Sequence, residues 1–388
     1  MPYKDVDINE ESFTKNAKFE NFLLSLYGIV TLINVYSLSM FNNGNSTLLH
    51  LRTFLIVSAA LITLLFSSFR IEKFFLAIIG IIFSVLSIKV GGADKGFLYV
   101  VLLIFAYSGI SPRKILKVGI IATALPLFMV AISSKIGLIS NLTFYRDGVM
   151  RQSLGTIYPL IFASYVFYIF AGLVILTDTR RMRIVLAFII MISGIFVFKL
   201  TGARNDFIGM ILLSLVSLLS GAEHSKFFRV ILPIGSILIF ALIFIVIFAT
   251  QMFSYDSNVY AILNKLLSNR LDLQNTLSSY YNIKLLGQNI FQQGLGRTTS
   301  SVRNYFYIDS SFVRIIYMGG VLYFSWFMYL LIRLIKQLYS SKSFKFWCVL
   351  LIVMINGLTE DSFINYGINL MMPLFMISAD MLTKEKII

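Results

Sequence analysis

The residues of this chain that could do chemistry are arginines and carboxylates in short polar stretches between apolar runs. The stretch Gly294-Leu-Gly-Arg-Thr-Thr-Ser-Ser-Val-Arg-Asn-Tyr-Phe-Tyr-Ile-Asp-Ser-Ser-Phe312 supplies Arg297, Arg303, Tyr305, Tyr307 and Asp309, and Arg314 follows directly. Arg151 and Arg204 stand in two other polar turns, and Glu360-Asp361 in a third. A planar guanidinium fork grips phosphate or carboxylate with a geometry that a lysine ammonium lacks. A carboxylate among such cations is what a base beside an anion site would look like. Plainer readings compete. Asp309-Ser310-Ser311 is also a helix N-cap signal, Glu360-Asp361 also reads as a solvated hairpin, and tyrosines gather at membrane surfaces for their amphipathic rings alone. Other chemistries lack their residues. Cys348 is the one cysteine and His50 and His224 the two histidines, so neither a disulfide framework nor a His/Cys metal cluster is on offer. There is no Gly-x4-Gly-Lys-Ser/Thr phosphate loop, and no metal or cofactor is expected.

These residues need a scaffold, and composition names it. Of 388 residues, 58% are hydrophobic and only 13% charged, and mean hydropathy is +0.84. A soluble domain carries about one quarter charged residues, so a soluble enzyme is excluded. The expected fold is all-α: a polytopic membrane protein of about 12 transmembrane helices, forming a single integral membrane domain over 1–388. The runs fall at roughly 20–40, 51–69, 71–90, 96–111, 115–134, 156–177, 182–199, 205–221, 227–250, 311–337, 343–358 and 363–382. Any site must then be built on helix ends and loops.

The net charge of +15 orients the chain. If the polar segment 1–19 is cytoplasmic, 19 of the 33 basic residues fall on the inner side. This bias places both termini in the cytoplasm and the long loop 251–310, between spans 9 and 10, outside. The 14 outer basic residues lean towards arginine: eight are Arg, against seven of the 19 inside. Lysine would serve topology equally well, so the excess points to an anion handled on the outer face rather than to nucleic acid. Within the long loop, 257–277 reads as an amphipathic helix with Val259, Ile262, Leu263, Leu266, Leu267 and Leu273 near one face, lying along the membrane interface. Two turns echo each other, Lys89-Val-Gly-Gly-Ala-Asp94 and Lys199-Leu-Thr-Gly-Ala-Arg204. Either both simply need small residues for a tight hairpin, or both line one outer cavity.

Three stretches carry a family resemblance. Arg151-Gln-Ser-Leu-Gly-Thr-Ile-Tyr-Pro159 is similar to an Arg-x-Ser-x-Gly-x-x-His/Tyr-Pro stretch. Thr201-Gly-Ala-Arg204 is similar to a Ser/Thr-x-Ser-Arg turn. Gly294-x-Gly296 with Asp309-Ser-Ser-Phe312 and Gly319-Gly320 is similar to the segment leading into the helix after a large outer loop. Together with the layout, they resemble the Wzy-type bacterial polysaccharide polymerases, relatives of the O-antigen ligases. Where ligases often hold histidine, this chain has Asp309, and the Arg-x10-Gly pattern of some polymerases does not start from any of the outer arginines; eleven residues beyond Arg303, for example, is Arg314.

The resemblance implies a multi-pass protein of the bacterial cytoplasmic membrane. Such a protein joins undecaprenyl-pyrophosphate-linked oligosaccharide repeat units on the outer face. A hydroxyl of one unit attacks the anomeric carbon of the other, and undecaprenyl pyrophosphate leaves. On that reading Arg151, Arg204, Arg297, Arg303 and Arg314 clamp pyrophosphate or glycan, Tyr305 and Tyr307 offer platforms to sugar rings, and Asp309 is the base, with Glu360 or Asp361 as substitutes. The lipid bilayer, a flippase and a chain-length regulator are the implied partners. Two alternatives stand beside it: a ligase-like glycan transferase, and a transporter such as a flippase for lipid-linked oligosaccharides.

Overall fold

The computed structural model describes residues 17–384 except 43, 45, 68–69, 147, 221–225, 253–257, 267–269 and 300–304. Most of the expected N-terminal segment 1–19 lies outside the described residues. The chain folds as a helical membrane protein. Its helices are α1 (Ala17–Ser37), α2 (Ser46–Phe66), α3 (Ile71–Gly91), α4 (Gly96–Ala106), α5 (Pro112–Lys135), α6 (Pro159–Leu176), α7 (Arg180–Thr201), α8 (Arg204–Leu219), α9 (Lys226–Met252), α10 (Asn258–Leu266), α11 (Arg270–Tyr280), α12 (Ser311–Arg314), α13 (Gly320–Ser340), α14 (Phe344–Gly357) and α15 (Ala379–Lys384). A short antiparallel hairpin, β1 (Thr143–Arg146) with β2 (Val149–Gln152), interrupts the expected all-α pattern in the α5–α6 connection.

Eight helices among the described residues are long and apolar enough to cross a membrane, which bears out eight of the twelve expected runs. The other four expected runs form shorter or irregular segments for local reasons. Helix α4 has 11 residues, α14 has 14 and α8 has 16, against the about 20 that a bilayer core requires. The run 363–382 is not a helix. It holds two single 3-10 turns, Asp361–Phe363 and Met372–Leu374, before α15. Asn365, Gly367, Asn369 and Pro373 break it. The asparagine side chains take over backbone partners, with Gly367 N donating to Asn365 Oδ1 (3.0 Å), Met371 N to Asn369 Oδ1 (2.9 Å) and Asn369 Nδ2 to Phe363 O (2.7 Å). Irregular backbone at membrane depth survives only where protein surrounds it. Here Leu370, Met371, Met372 and Phe375 are buried in the main core, with Trp347 and Phe327.

The turns gather into two opposite sets, as alternation of the apolar runs requires. One set is tied by ion pairs Glu20–Lys114 (2.5 Å), Arg113–Asp178 (2.7 Å), Arg333–Glu72 (2.6 Å) and Arg70–Asp380. The other brings together the chain after α1, the α3–α4 turn, residues 153–158, the α7–α8 turn, the long loop and the 358–366 stretch. There Ser39 pairs with Thr156, and Asn289 N donates to Gly91 O (2.8 Å). The two echoing turns end α3 and α7 in the same way, with Gly92 and Gly202 as left-handed caps at φ +67° and +64°.

The helix after the long loop starts with a break. Helix α12 passes through a π turn, Ile315–Gly319, before α13 resumes at Gly320 with φ +86°. The loop crosses at this point: a Cβ on Gly320 would lie 2.1 Å from Gly287 N. Val321 N and Leu322 N donate to the Lys284 and Leu285 carbonyls. Glycine at both 287 and 320 lets the two backbones touch. The expected amphipathic helix over 257–277 is instead two helices, α10 and α11. Ile262, assigned to its apolar face, is 62% exposed. Helix α11 buries Leu271, Gln274 and Leu277 and packs on α9; polar Gln274 is accommodated because Thr250 Oγ1 donates to its Oε1 (3.0 Å).

Candidate functional site

The long loop and the 358–366 stretch meet in a cluster of opposite charges. Arg270, at the first residue of α11, reaches two carboxylates: its Nε lies 3.0 Å from Asp309 Oδ2 and its Nη2 2.9 Å from Glu360 Oε1. Arg314 lies 3.4 Å from Asp361 Oδ2, and its guanidinium stands 4.7 Å above the Tyr307 ring. Tyr307 donates its hydroxyl to the same Asp361 oxygen at 2.5 Å. Gln292 and the Ile308 carbonyl, each at 3.0 Å, complete the cradle of Arg314. The elements position these groups tightly. The Glu360 carbonyl accepts from both Ser311 N (3.2 Å) and Ser311 Oγ (2.6 Å), pinning the 358–361 turn against the start of α12.

Asn205, in the first turn of α8, donates to Thr359 (2.7 Å) and to Glu360 Oε1 (3.0 Å). Asp206 beside it is 1% exposed and takes hydrogen bonds from Ser164 (3.2 Å) on α6 and Asn356 (3.1 Å) on α14. Burial acts strongly on the cluster. It raises the Glu360 carboxyl to about 8 against the opposing pull of Arg270. It raises Asp309 as well, again against Arg270. For Arg270, burial alone would lower the value, but Glu360 and Asp309 outweigh it and the net shift is upward. Tyr307 is raised, chiefly by burial, so it stays a donor.

The residues singled out in the sequence divide by what holds them. Asp309, Glu360, Asp361, Arg314 and Tyr307 come together in this cluster. Glu360 is 4% exposed, so the solvated-hairpin reading of 360–361 does not hold. Nor is Asp309 the helix cap, since Ser310 Oγ accepts from Val313 N. Arg151 and Arg297 sit at the same end but grip backbone. Arg151 Nε donates to Thr201 O (2.6 Å) and its side chain lies against Gly202, where a Cβ would come within 2.8 Å of that nitrogen. Arg297, at φ +70°, donates to the Ser37 carbonyl (2.8 Å) and to that of Asn42, and its own N–H reaches Ile157 O (2.9 Å). Arg204 is exposed at the first residue of α8 and makes no ion pair among the described residues. Tyr305 is 39% exposed. Arg303 lies outside the described residues.

Sequence reasoning counted Arg270 among the outer arginines but did not select it, and it did not consider Asn205. The signal for Arg270 was present as an arginine opening a helix segment of the long loop; its two partners, 39 and 90 residues away, were not legible. The cluster offers two guanidiniums fixed before any ligand arrives, three carboxylates of which two are held above their ordinary range, and a phenol donor. Such a set can hold an anion and accept a proton within one small volume. Among the described residues no group of His, Cys, Asp and Glu could hold a metal ion. No protein-family model, curated protein or solved structure matches the chain.

Proposed function

We propose that the protein is a polysaccharide polymerase that joins undecaprenyl-pyrophosphate-linked repeat units on the outer face of the bacterial cytoplasmic membrane. The observation that carries this reading is the pairing of Arg270 and Arg314 with Asp309, Glu360 and Asp361 where the long loop, the start of α8 and the 358–361 turn meet. Pyrophosphate is a good leaving group, so its departure needs prepositioned positive charge rather than a strong acid. A diphosphate oxygen arriving at Arg270 or Arg314 would compete with the carboxylate already there. At Arg270 the displaced carboxylate is Asp309 or Glu360, both raised by burial, and it then becomes a base for the attacking hydroxyl. Anion binding and base activation are thereby coupled. Arg204, exposed at the rim, is free to contact the glycan or the diphosphate.

The test is the purified protein in lipid nanodiscs supplied with a lipid-pyrophosphate-linked oligosaccharide. A ladder of lengthening glycans on lipid pyrophosphate is the expected product. Transfer to a non-glycan acceptor alone identifies a ligase-like transferase. Movement of intact substrate between leaflets of a liposome, with no new glycosidic bond, identifies a transporter and overturns the proposal.

A further inference from the structure

A cavity of about 150 Å³ opens beside the charge cluster, between the α3–α4 turn, the start of the 311–340 helix and the irregular final segment. Asp94, Arg314, Asp361 and Asn365 form its polar lining, with Phe97 and Tyr366 among its apolar walls. We propose that this cavity is a subsite for one neutral, hydroxyl-rich sugar ring at the acceptor end of the lipid-linked glycan; the assignment rests on the function proposed above.

Size is the first reason. Pockets for drug-sized ligands begin at roughly 300 Å³, so this one takes a single ring and not a disaccharide. The wall is the second. The Tyr366 ring is held from one side by the Arg52 guanidinium at 5.1 Å and braced by the edge of Tyr99 at 5.9 Å. An aromatic ring held in place and lining a polar cavity is a platform for the C–H face of a pyranose. Gly96 leaves the gap beside it open, since a Cβ there would meet Asp94 Oδ1 at 3.1 Å and the Tyr366 ring at 3.9 Å.

The hydrogen-bonding atoms are the third reason. Asp94 uses Oδ1 to accept from Gly96 N (2.6 Å), Asp361 uses Oδ2 for Tyr307 and Arg314, and Asn365 uses Oδ1 for Gly367 N (3.0 Å). Asp94 Oδ2, Asp361 Oδ1 and Asn365 Nδ2 have no partner among the described residues. That set of two acceptors and one donor suits hydroxyls, which can both give and take.

Charge sets the selectivity. The one cation lining the cavity, Arg314, is already engaged by Asp361 and by the face of Tyr307. Asp94 makes no ion pair among the described residues. A sugar carboxylate placed here would add a third negative charge to Asp94 and Asp361 against the single guanidinium of Arg314, which already feels both, whereas a neutral sugar pays no such penalty. Because Asp361 belongs to both cavity and cluster, a ring seated here has a hydroxyl beside the carboxylates that would activate it.

The experiment is saturation-transfer NMR on the protein in nanodiscs free of glycolipid and glycoside detergent. The probes are methyl β-glucopyranoside, methyl β-galactopyranoside and methyl β-glucuronide. Saturable transfer to at least one neutral glycoside is expected, with the glucuronide at least about tenfold weaker, a difference of about 1.4 kcal/mol. Tyr366→Ala should weaken neutral binding by about tenfold, the upper range for one aromatic contact. Asp94→Asn keeps an acceptor for Gly96 N and should shrink the preference for neutral over acidic ring. Glucuronide binding as tight as the neutral probes, no saturable transfer from any probe, or Asp94→Asn indistinguishable from the natural protein would each overturn the subsite. The readout needs no polymerisation. A protein that builds glycan ladders but ignores these substitutions keeps the proposed function and loses the subsite. One that binds sugar but builds no ladder keeps the subsite and loses the function.

Discussion

Replacing Arg270 by methionine separates what the charge cluster does for stability from what it does for chemistry. Arg270 is 15% exposed in its side chain and serves two carboxylates at 3.0 and 2.9 Å, Asp309 at 22% and Glu360 at 6% exposure. Removing one member of a buried ion pair costs about 3–5 kcal/mol, because the partner's charge stays buried without compensation. Asp309 regains some water, so its share is about 1 kcal/mol. At about pH 9, above the value of about 8 to which burial raises it, Glu360 is ionised, keeps only the Asn205 amide at 3.0 Å and carries the rest, about 3 kcal/mol. The sum, about 4 kcal/mol, corresponds to a fall in melting temperature of roughly 10 °C. Arg270→Lys should lose less, about 1–2 kcal/mol, since one ammonium cannot reach both carboxylates as Nε and Nη2 do.

The assay is thermal loss of the helical circular-dichroism signal in nanodiscs at about pH 9, where Glu360 is ionised, run beside the glycan-ladder assay. A triple variant, Arg270→Met with Asp309→Asn and Glu360→Gln, removes every charge of this group together and should recover most of the lost stability. It should remain unable to extend glycan, because both the anion clamp and two candidate bases are gone. If Arg270→Met melts with the natural protein, or the neutral triple is no more stable than the single variant, the cluster is not a buried ionic unit.

Other outcomes follow from the same geometry. Arg204→Ala should leave the melting temperature unchanged, within about 0.5 kcal/mol for an exposed side chain, while lowering elongation; equal elongation in the two proteins would remove Arg204 from the site. Arg297→Ala removes the guanidinium donor from the Ser37 and Asn42 carbonyls and should cost about 1–2 kcal/mol, read as a lower melting temperature together with faster proteolysis of the long loop. The pH dependence has a definite sign. Glu360, raised by burial to about 8, binds its proton more tightly folded than unfolded. It therefore makes folding less favourable as pH rises from about 4.5 towards 8, with no further loss above. Elongation that uses this carboxylate as base should rise over the same upper range. Glu360→Gln should flatten both trends, and a pH profile of elongation already level between 6 and 9 would exclude Glu360 as the base.

Much of the fold is legible from local pattern, because a bilayer rewards length and apolarity residue by residue. The eight long helices coincide with eight of the twelve expected runs, and the two sets of turns gather as alternation requires. The failures have local causes visible only with tertiary context. The run 363–382 looked like a span by hydropathy, yet Asn365, Asn369 and Pro373 keep it irregular, and surrounding helices replace the lipid that would have forbidden this. At the site, residue type picked out the loops that meet in the charge cluster but not which residues pair there. Asp309 looked like a cap until Ser310 took that place, and Arg297 and Arg151 looked like ligand clamps although their guanidiniums hold carbonyls of neighbouring turns.

By itself the sequence determined that the chain is a multi-pass membrane protein, with its ionisable residues concentrated at helix ends, because the cost of burying charge and exposing apolar surface acts on each segment separately. Only the tertiary structure decided which charges meet. Arg270 finds Asp309 and Glu360 across 39 and 90 residues. That pairing is set by how α8, α11, α12 and the 358–361 turn pack, a property of distances between segments that no period within a segment encodes.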